Sequence, residues 1–177
     1  MRKPTPTQWF TLSVIAIAAL IATASLRAGW GQDGDQVTVI GPTARIVEAS
    51  SGVEFVARVD TGAAVSSIHC RSDDFVIDSE SRNPQDNVKK KARVRLINHL
   101  GEAAWVDTVI DDYVEVRNAE HSEHRYRIKL PLRCGSVEKT TIVNLNDRSR
   151  MTYRLLLGRD FLRDHFLVDV SGKGAEG

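Results

Sequence analysis

The sequence predicts an all-β domain behind an apolar amino-terminal segment. Three observations carry this: period-two alternation recurs in short stretches from residue 37 onward, turn residues separate them, and helical periodicity is nearly absent. Many short strands with turns between them build a small barrel or a sandwich. A chain of 177 residues supports one ordinary domain. Such a domain can bury roughly 68% of its unfolded surface, so it needs no metal or dense disulfide framework to fold.

Residues 9–26 (WFTLSVIAIAALIATASL) form an uncharged stretch of 18 after Arg2 and Lys3, at the short limit for crossing a hydrocarbon core of about 30 Å. Ala22 and Ala24 offer an A-x-A-like cleavage site, so residues 1–28 read as either a signal anchor or a removed signal peptide. A buried core helix is the structural alternative, but the segment is apolar all round and terminal. Positive residues ahead of the stretch stay cytoplasmic. The remainder is therefore expected to be anchored at the inner membrane with a periplasmic domain, or secreted to the periplasm. Residues 29–36, rich in Gly and Asp, form the linker, and residues 37–173 the domain.

The strands follow in order: 37–40, 44–49 and 53–59, with Ser50-Ser51-Gly52 as a hairpin turn, then 92–97, 104–110, 113–117, 124–132 and 137–145. One short helix is expected over Asp160–His165, after Gly158 and before a last strand at 166–170. Residues 79–91 (SESRNPQDNVKKK) have no apolar period and read as a mobile surface loop with solvated lysines. Beyond residue 30 the chain carries 21 basic and 23 acidic residues, a formal balance of −2. That argues against a nucleic-acid partner drawn by bulk charge.

The chemistry is expected at Asp60-Thr61-Gly62. The tripeptide closes an apolar strand (Phe55 to Val59), is followed by Ala63 and Ala64, and the strand resumes as Val65-Ser66-Ser67-Ile68. A strand that breaks there and resumes makes a tight loop, in which Gly permits a close backbone approach. A β-turn with an Asx-type hydrogen bond is the plain structural reading. Near the carboxyl end, Leu155-Leu156-Leu157-Gly158-Arg159-Asp160-Phe161-Leu162 is an apolar run stopped by Gly and followed by the helix candidate.

Together these elements resemble a retropepsin, the single-domain aspartic protease that works as a homodimer. Asp60-Thr61-Gly62-Ala63, the stretch Asn146 to Tyr153, the step Leu157 to Leu162 and the ending Phe166 to Ser171 resemble more closely a bacterial family of retropepsin-like aspartic endopeptidases, sometimes labelled ATP-dependent zinc protease. The resemblance covers residues 40–173. It implies a retropepsin-like closed barrel with one short carboxyl-terminal helix, Asp60 as the catalytic residue, and a homodimer acting on a peptide or protein substrate. Thr61, Gly62, Ala63, Leu156, Leu157 and Gly158 would support the active-site loop. The retropepsin flap would fall at Asn118, Ala119, Glu120, His121, Ser122 and Glu123, where a plain polar hairpin loop is the other reading, because retroviral flaps are Gly-rich.

A second departure is Ala64, where retroviral enzymes carry an Asp that pairs with the Arg after the apolar-Gly step. Arg159 then needs another partner. A binding or assembly module of the cell envelope that keeps the fold without hydrolysis is the alternative function. No HExxH and no GxxxxGK[ST] occurs, so neither a metal nor a cofactor is expected. His69, His99, His121, His124 and His165 read as surface or packing residues. Cys70 and Cys134 could form a bridge in an oxidising compartment, or stay free.

Overall fold

The computed structural model describes residues 37–117 and 122–172. The expected anchor and linker, 1–36, lie outside them. Among the described residues no helix is long and apolar enough to cross a membrane.

The described residues form eleven strands and one short α-helix: β1 Thr38–Ile40, β2 Thr43–Glu48, β3 Glu54–Val59, β4 Ser66–His69, β5 Phe75–Ile77, β6 Lys91–Ile97, β7 Ala103–Arg117, β8 Ser122–Cys134, β9 Val137–Asn146, β10 Leu155–Leu157, α1 Arg159–Leu162 and β11 Phe166–Val168. The large sheet has the order β2-β3-β10-β4-β9-β8-β7-β6-β5, and an additional β2–β8 pairing closes its first six strands into a ring. The closure is a short seam, Val47 opposite Arg133 and Glu48 opposite Leu132. Strands β7, β6 and β5 continue outward as an extension, and β1 pairs β11 in a separate parallel ribbon.

The strands of the ring alternate. In β8, for example, Ile128, Leu130 and Leu132 are buried while Lys129 and Arg133 face solvent, the pattern of a pleated sheet with one packed face. Ile46, Phe55, Ile68, Ile128, Leu130, Leu132, Val143, Leu155 and Leu157 fill the core, with Phe161 of α1 packed on it. Each such side chain stabilises by about 1.5–3 kcal/mol on burial.

Four expectations are corrected. The separate strands 104–110 and 113–117 are one strand, β7, irregular between Ile110 and Asp112. Asp111, the extra residue there, meets Lys89 and Lys129 at 3.2 Å each, so the bulge is held by charge rather than broken into a turn. Residues 79–91 are tied down rather than left as a solvated loop. A 3₁₀ turn spans Pro84–Asn87, the buried Asn87 bonds Ser81 and the Tyr126 hydroxyl, and Lys90 donates to Ser79 O. The helix covers Arg159–Leu162 and stops before His165, because Asp164 takes a left-handed φ of 74°. Finally, β11 ends at Val168, where the Asp169 carboxylate accepts from the Ser171 amide and hydroxyl.

Candidate active site

Strand β10 lies between β3 and β4, parallel to the first and antiparallel to the second. The chain leaving β3 must therefore loop over the end of β10 before entering β4, and that loop is residues 60–65. Its start is pinned by the Asp60 amide donating to Leu157 O at 3.0 Å. Asp60 Oδ1 accepts from the Gly62 amide at 2.9 Å and the Ala63 amide at 3.2 Å. These bonds fix the orientation of the carboxylate. The other oxygen, Oδ2, carries no hydrogen bond from the described residues, and Asp60 is half-buried beside exposed Thr61, Gly62 and Ala64.

The loop's far side is locked by α1. Arg159 Nη1 donates to Thr61 O at 2.9 Å and Gly62 O at 2.8 Å, which is the partner it finds in place of the retroviral Asp. Asp160, 94 positions from Ser66, accepts from the Ser66 amide at 3.0 Å and its hydroxyl at 2.8 Å. The Gly158 amide in turn donates to Ser66 Oγ at 3.0 Å. A Cβ on Gly158 would sit 2.7 Å from Val65 C and 2.9 Å from Ser66 N, so only glycine lets β10 pass this close to the loop.

The segment that joins β9 to β10 comes within electrostatic reach of this loop through Arg148. Arg148 lies there, 8% exposed, its Nε donating to Tyr153 O at 3.0 Å and its amide to His69 Nδ1 at 2.9 Å. Its two terminal amino groups find no acceptor among the described residues. Burial lowers the Arg148 guanidinium from its ordinary value, the neighbouring Arg125 adds to this, and Asp60 opposes it. Arg125 and Asp60 thus each lie within electrostatic reach of Arg148. Arg125 also pairs with Glu123 on its own strand.

The expected site residues therefore separate into groups. Asp60, Thr61, Gly62 and Ala63 form one loop, and Leu156, Leu157 and Gly158 run directly behind it. Of the flap residues, Ser122 and Glu123 begin β8, with the Ser122 hydroxyl bonded to Glu115. Asn118, Ala119, Glu120 and His121 lie outside the described residues. Sequence reasoning did not single out Ser66, Asp160, Arg148 or His69. A polar Ser66-Ser67 pair inside a short, fully buried strand was the available signal for the first of these.

Cys70 and Cys134 are both free and buried. Burial first, then Asp74, Asp73 and Asp147, push the Cys70 thiol up to about 12, so it holds its proton and is no nucleophile at neutral pH. Among the described residues no group of three or more His, Cys, Asp or Glu is placed to hold a metal ion.

A closed ring whose Asp-Thr-Gly loop is crossed from behind by an apolar-Gly strand is the fold of a retropepsin-like aspartic endopeptidase. The sequence profile described as RimB-like, retropepsin-like aspartic endopeptidase RimB, matches residues 44–176, and the chain belongs to that family. A probable alpha-L-glutamate ligase of Desulfotalea psychrophila is 29% identical over 113 residues, which are 64% of this chain and 24% of that protein. The chain thus spans about a quarter of that relative's length. The crystal structure of a Legionella pneumophila protein of unknown function is similar in fold, with a TM-score of 0.59 at 24% identity over 77% of this chain and 96% of that one.

Proposed function

We propose that the chain is an aspartic endopeptidase that completes its site with Asp60 of a second copy and hydrolyses acidic peptides. The observation that carries this reading is the presentation of Asp60: one oxygen is held by the loop's own amides and the other is left open. One carboxyl group cannot both take a proton from water and give one to a carbonyl oxygen. Two facing copies of Asp60, related by a two-fold axis, can share one proton and do both. Water oxygen adds to the scissile carbonyl carbon while the ionised Asp60 takes its proton and the protonated Asp60 donates to the carbonyl oxygen. Collapse of the resulting diol breaks the C–N bond, the amine leaves with a proton, and the pair again holds one. Like charges about 3 Å apart cannot both ionise, so the apparent pKa values belong to the pair and activity favours the acid side of neutrality.

Support for the pairing comes from the same end of the molecule. Thr61 and Gly62 are exposed beside an apolar groove of about 400 Å³ lined by Arg159, Leu162, Phe166, Leu167 and Val168. The adjoining β1–β11 ribbon leaves Val39 63% and Leu167 61% exposed, a surface suited to burial against a partner. The substrate class rests on Arg148, whose buried charge has unclaimed donors within electrostatic reach of Asp60; a guanidinium fork suits carboxylates. The glutamate ligase named for the Desulfotalea relative favours the same chemistry. The apolar stretch at 9–26 supports an exported location, anchored at the inner membrane or secreted to the periplasm.

Incubating the full-length chain and its Asp60→Asn variant with a fluorogenic oligoglutamate peptide between about pH 4 and 7 tests this reading. A loss of about 10²–10⁴-fold or more is expected in the variant. Equal turnover in both removes Asp60 from the mechanism. Absence of turnover in the wild type, with peptide binding retained, selects the non-hydrolytic module that Ala64 and the glycine-free segment Asn118 to Glu123 also suit.

A further inference from the structure

His69 is a buried polar residue with a defined and demanding bond. It closes β4, is 4% exposed, and its Nδ1 accepts the Arg148 amide at 2.9 Å. That geometry requires a bare Nδ1, so the imidazole is neutral with its proton on Nε2. The charged neighbours come from every side: Asp147 and Arg148 from the β9–β10 segment, Arg154 leading into β10, Arg71 following β4, and Asp74 in the 3₁₀ turn Ser72–Asp74. Asp147 Oδ1 stands 3.6 Å from the same Nδ1. A proton placed on Nδ1 would abolish its capacity to accept the amide and would be drawn to this carboxylate instead. The carboxylate stays ionised, because the Ser149 backbone and side-chain bonds hold Asp147 below the usual carboxylate range.

We infer that His69 is a positioning residue: in its neutral form it holds the Arg148 segment so that the guanidinium stays within reach of Asp60, and its protonation releases that segment. This rests on the acidic-peptide reading above for its effect on substrate, though not for the structural coupling itself. Burial first, then Arg154, lower the imidazole from its ordinary 6.5, with Asp147 and Asp74 opposing and Arg71 adding to the lowering. The unfolded chain therefore takes this proton before the folded one. The bond's contribution is complete above about 6.5 and is lost as pH falls through the lower folded value. The acid side of the activity is then limited by substrate binding as well as by the carboxyl pair.

The test follows KM and kcat for the oligoglutamate peptide against pH in the full-length wild type, His69→Asn and His69→Leu. Asparagine Oδ1 occupies the place of Nδ1 and accepts the same amide without titrating. In the wild type KM should rise about tenfold per pH unit below the imidazole's pKa, as the competent fraction falls, with kcat following the carboxyl pair. His69→Asn should lose that rise, apart from the change due to the peptide's own carboxyls, and His69→Leu should show a high KM throughout. An acid-side KM rise in His69→Asn equal to that of the wild type would overturn the role. A second measurement is independent of hydrolysis and of whether His69→Leu folds: in NMR titration of the wild type, the Arg148 amide should move with the midpoint of the His69 ring. An amide that stays still while the ring titrates overturns the inference. An amide that follows the ring in a chain that cleaves nothing leaves it standing and removes the hydrolytic reading instead.

Discussion

Two carboxylates at successive turns of this molecule show opposite arrangements of the same group. Glu48, fully buried at the end of β2, accepts four bonds: the Ser50 amide at 3.2 Å and hydroxyl at 2.5 Å, and the Ser51 amide at 2.8 Å and hydroxyl at 2.5 Å. Asp60, just after the neighbouring β3, accepts two amides on one oxygen and leaves the other without a hydrogen bond among the described residues. Both sit where a strand turns. Glu48 is saturated and holds the turn, whereas Asp60 is fixed through one oxygen and keeps the other unclaimed, as the proposed function requires. Burial alone would select Glu48 rather than the acid that the proposal uses.

Exchanging the acids' roles tests the contrast. Asp60→Asn should remove hydrolysis, by about 10²–10⁴-fold or more, with little change in Tm because the amide oxygen can still accept from Gly62 and Ala63. A fall in Tm comparable to that of a core mutant would make Asp60 as structural as Glu48. Gly158→Ala comes next: the added methyl meets backbone at 2.7 Å, and relieving such an overlap costs about 1–3 kcal/mol. The displaced β10 should reduce turnover along with stability in urea unfolding. Glu48→Gln should have the smallest effect on turnover: it loses about 1.5–3 kcal/mol of stability because an amide nitrogen would face serine donors, with kcat for the oligoglutamate peptide unchanged. Any effect of Glu48→Gln on kcat would show that the two turns are coupled through β3.

Much of this arrangement was legible before the fold was known, and the limits have physical causes. Asp60-Thr61-Gly62 and the Leu157-Gly158 step announce themselves because they interrupt apolar runs with the residue that permits close backbone approach. Their meeting is also implied by family resemblance. The insertion of β10 between β3 and β4 was not legible, since three residues carry too little period to declare a strand. The fusion of 104–110 with 113–117 was hidden by Asp111-Asp112, which looks like a turn until Lys89 and Lys129 neutralise the bulge. Ser66 with Asp160, and His69 with Arg148, join positions 94 and 79 apart. No local pattern encodes such pairs, because only the tertiary fold brings them into hydrogen-bond range.

The seam between β2 and β8 has a mechanical consequence. Two register pairs and the Ala49 amide on Pro131 O hold the circle shut, while eight register pairs join β8 to β9. Thermal breathing should part the wall at Val47 and Glu48 first, and the amides along that line should take up deuterium well before those on the β8–β9 border. The enclosure then behaves as a scroll fastened by a short clasp.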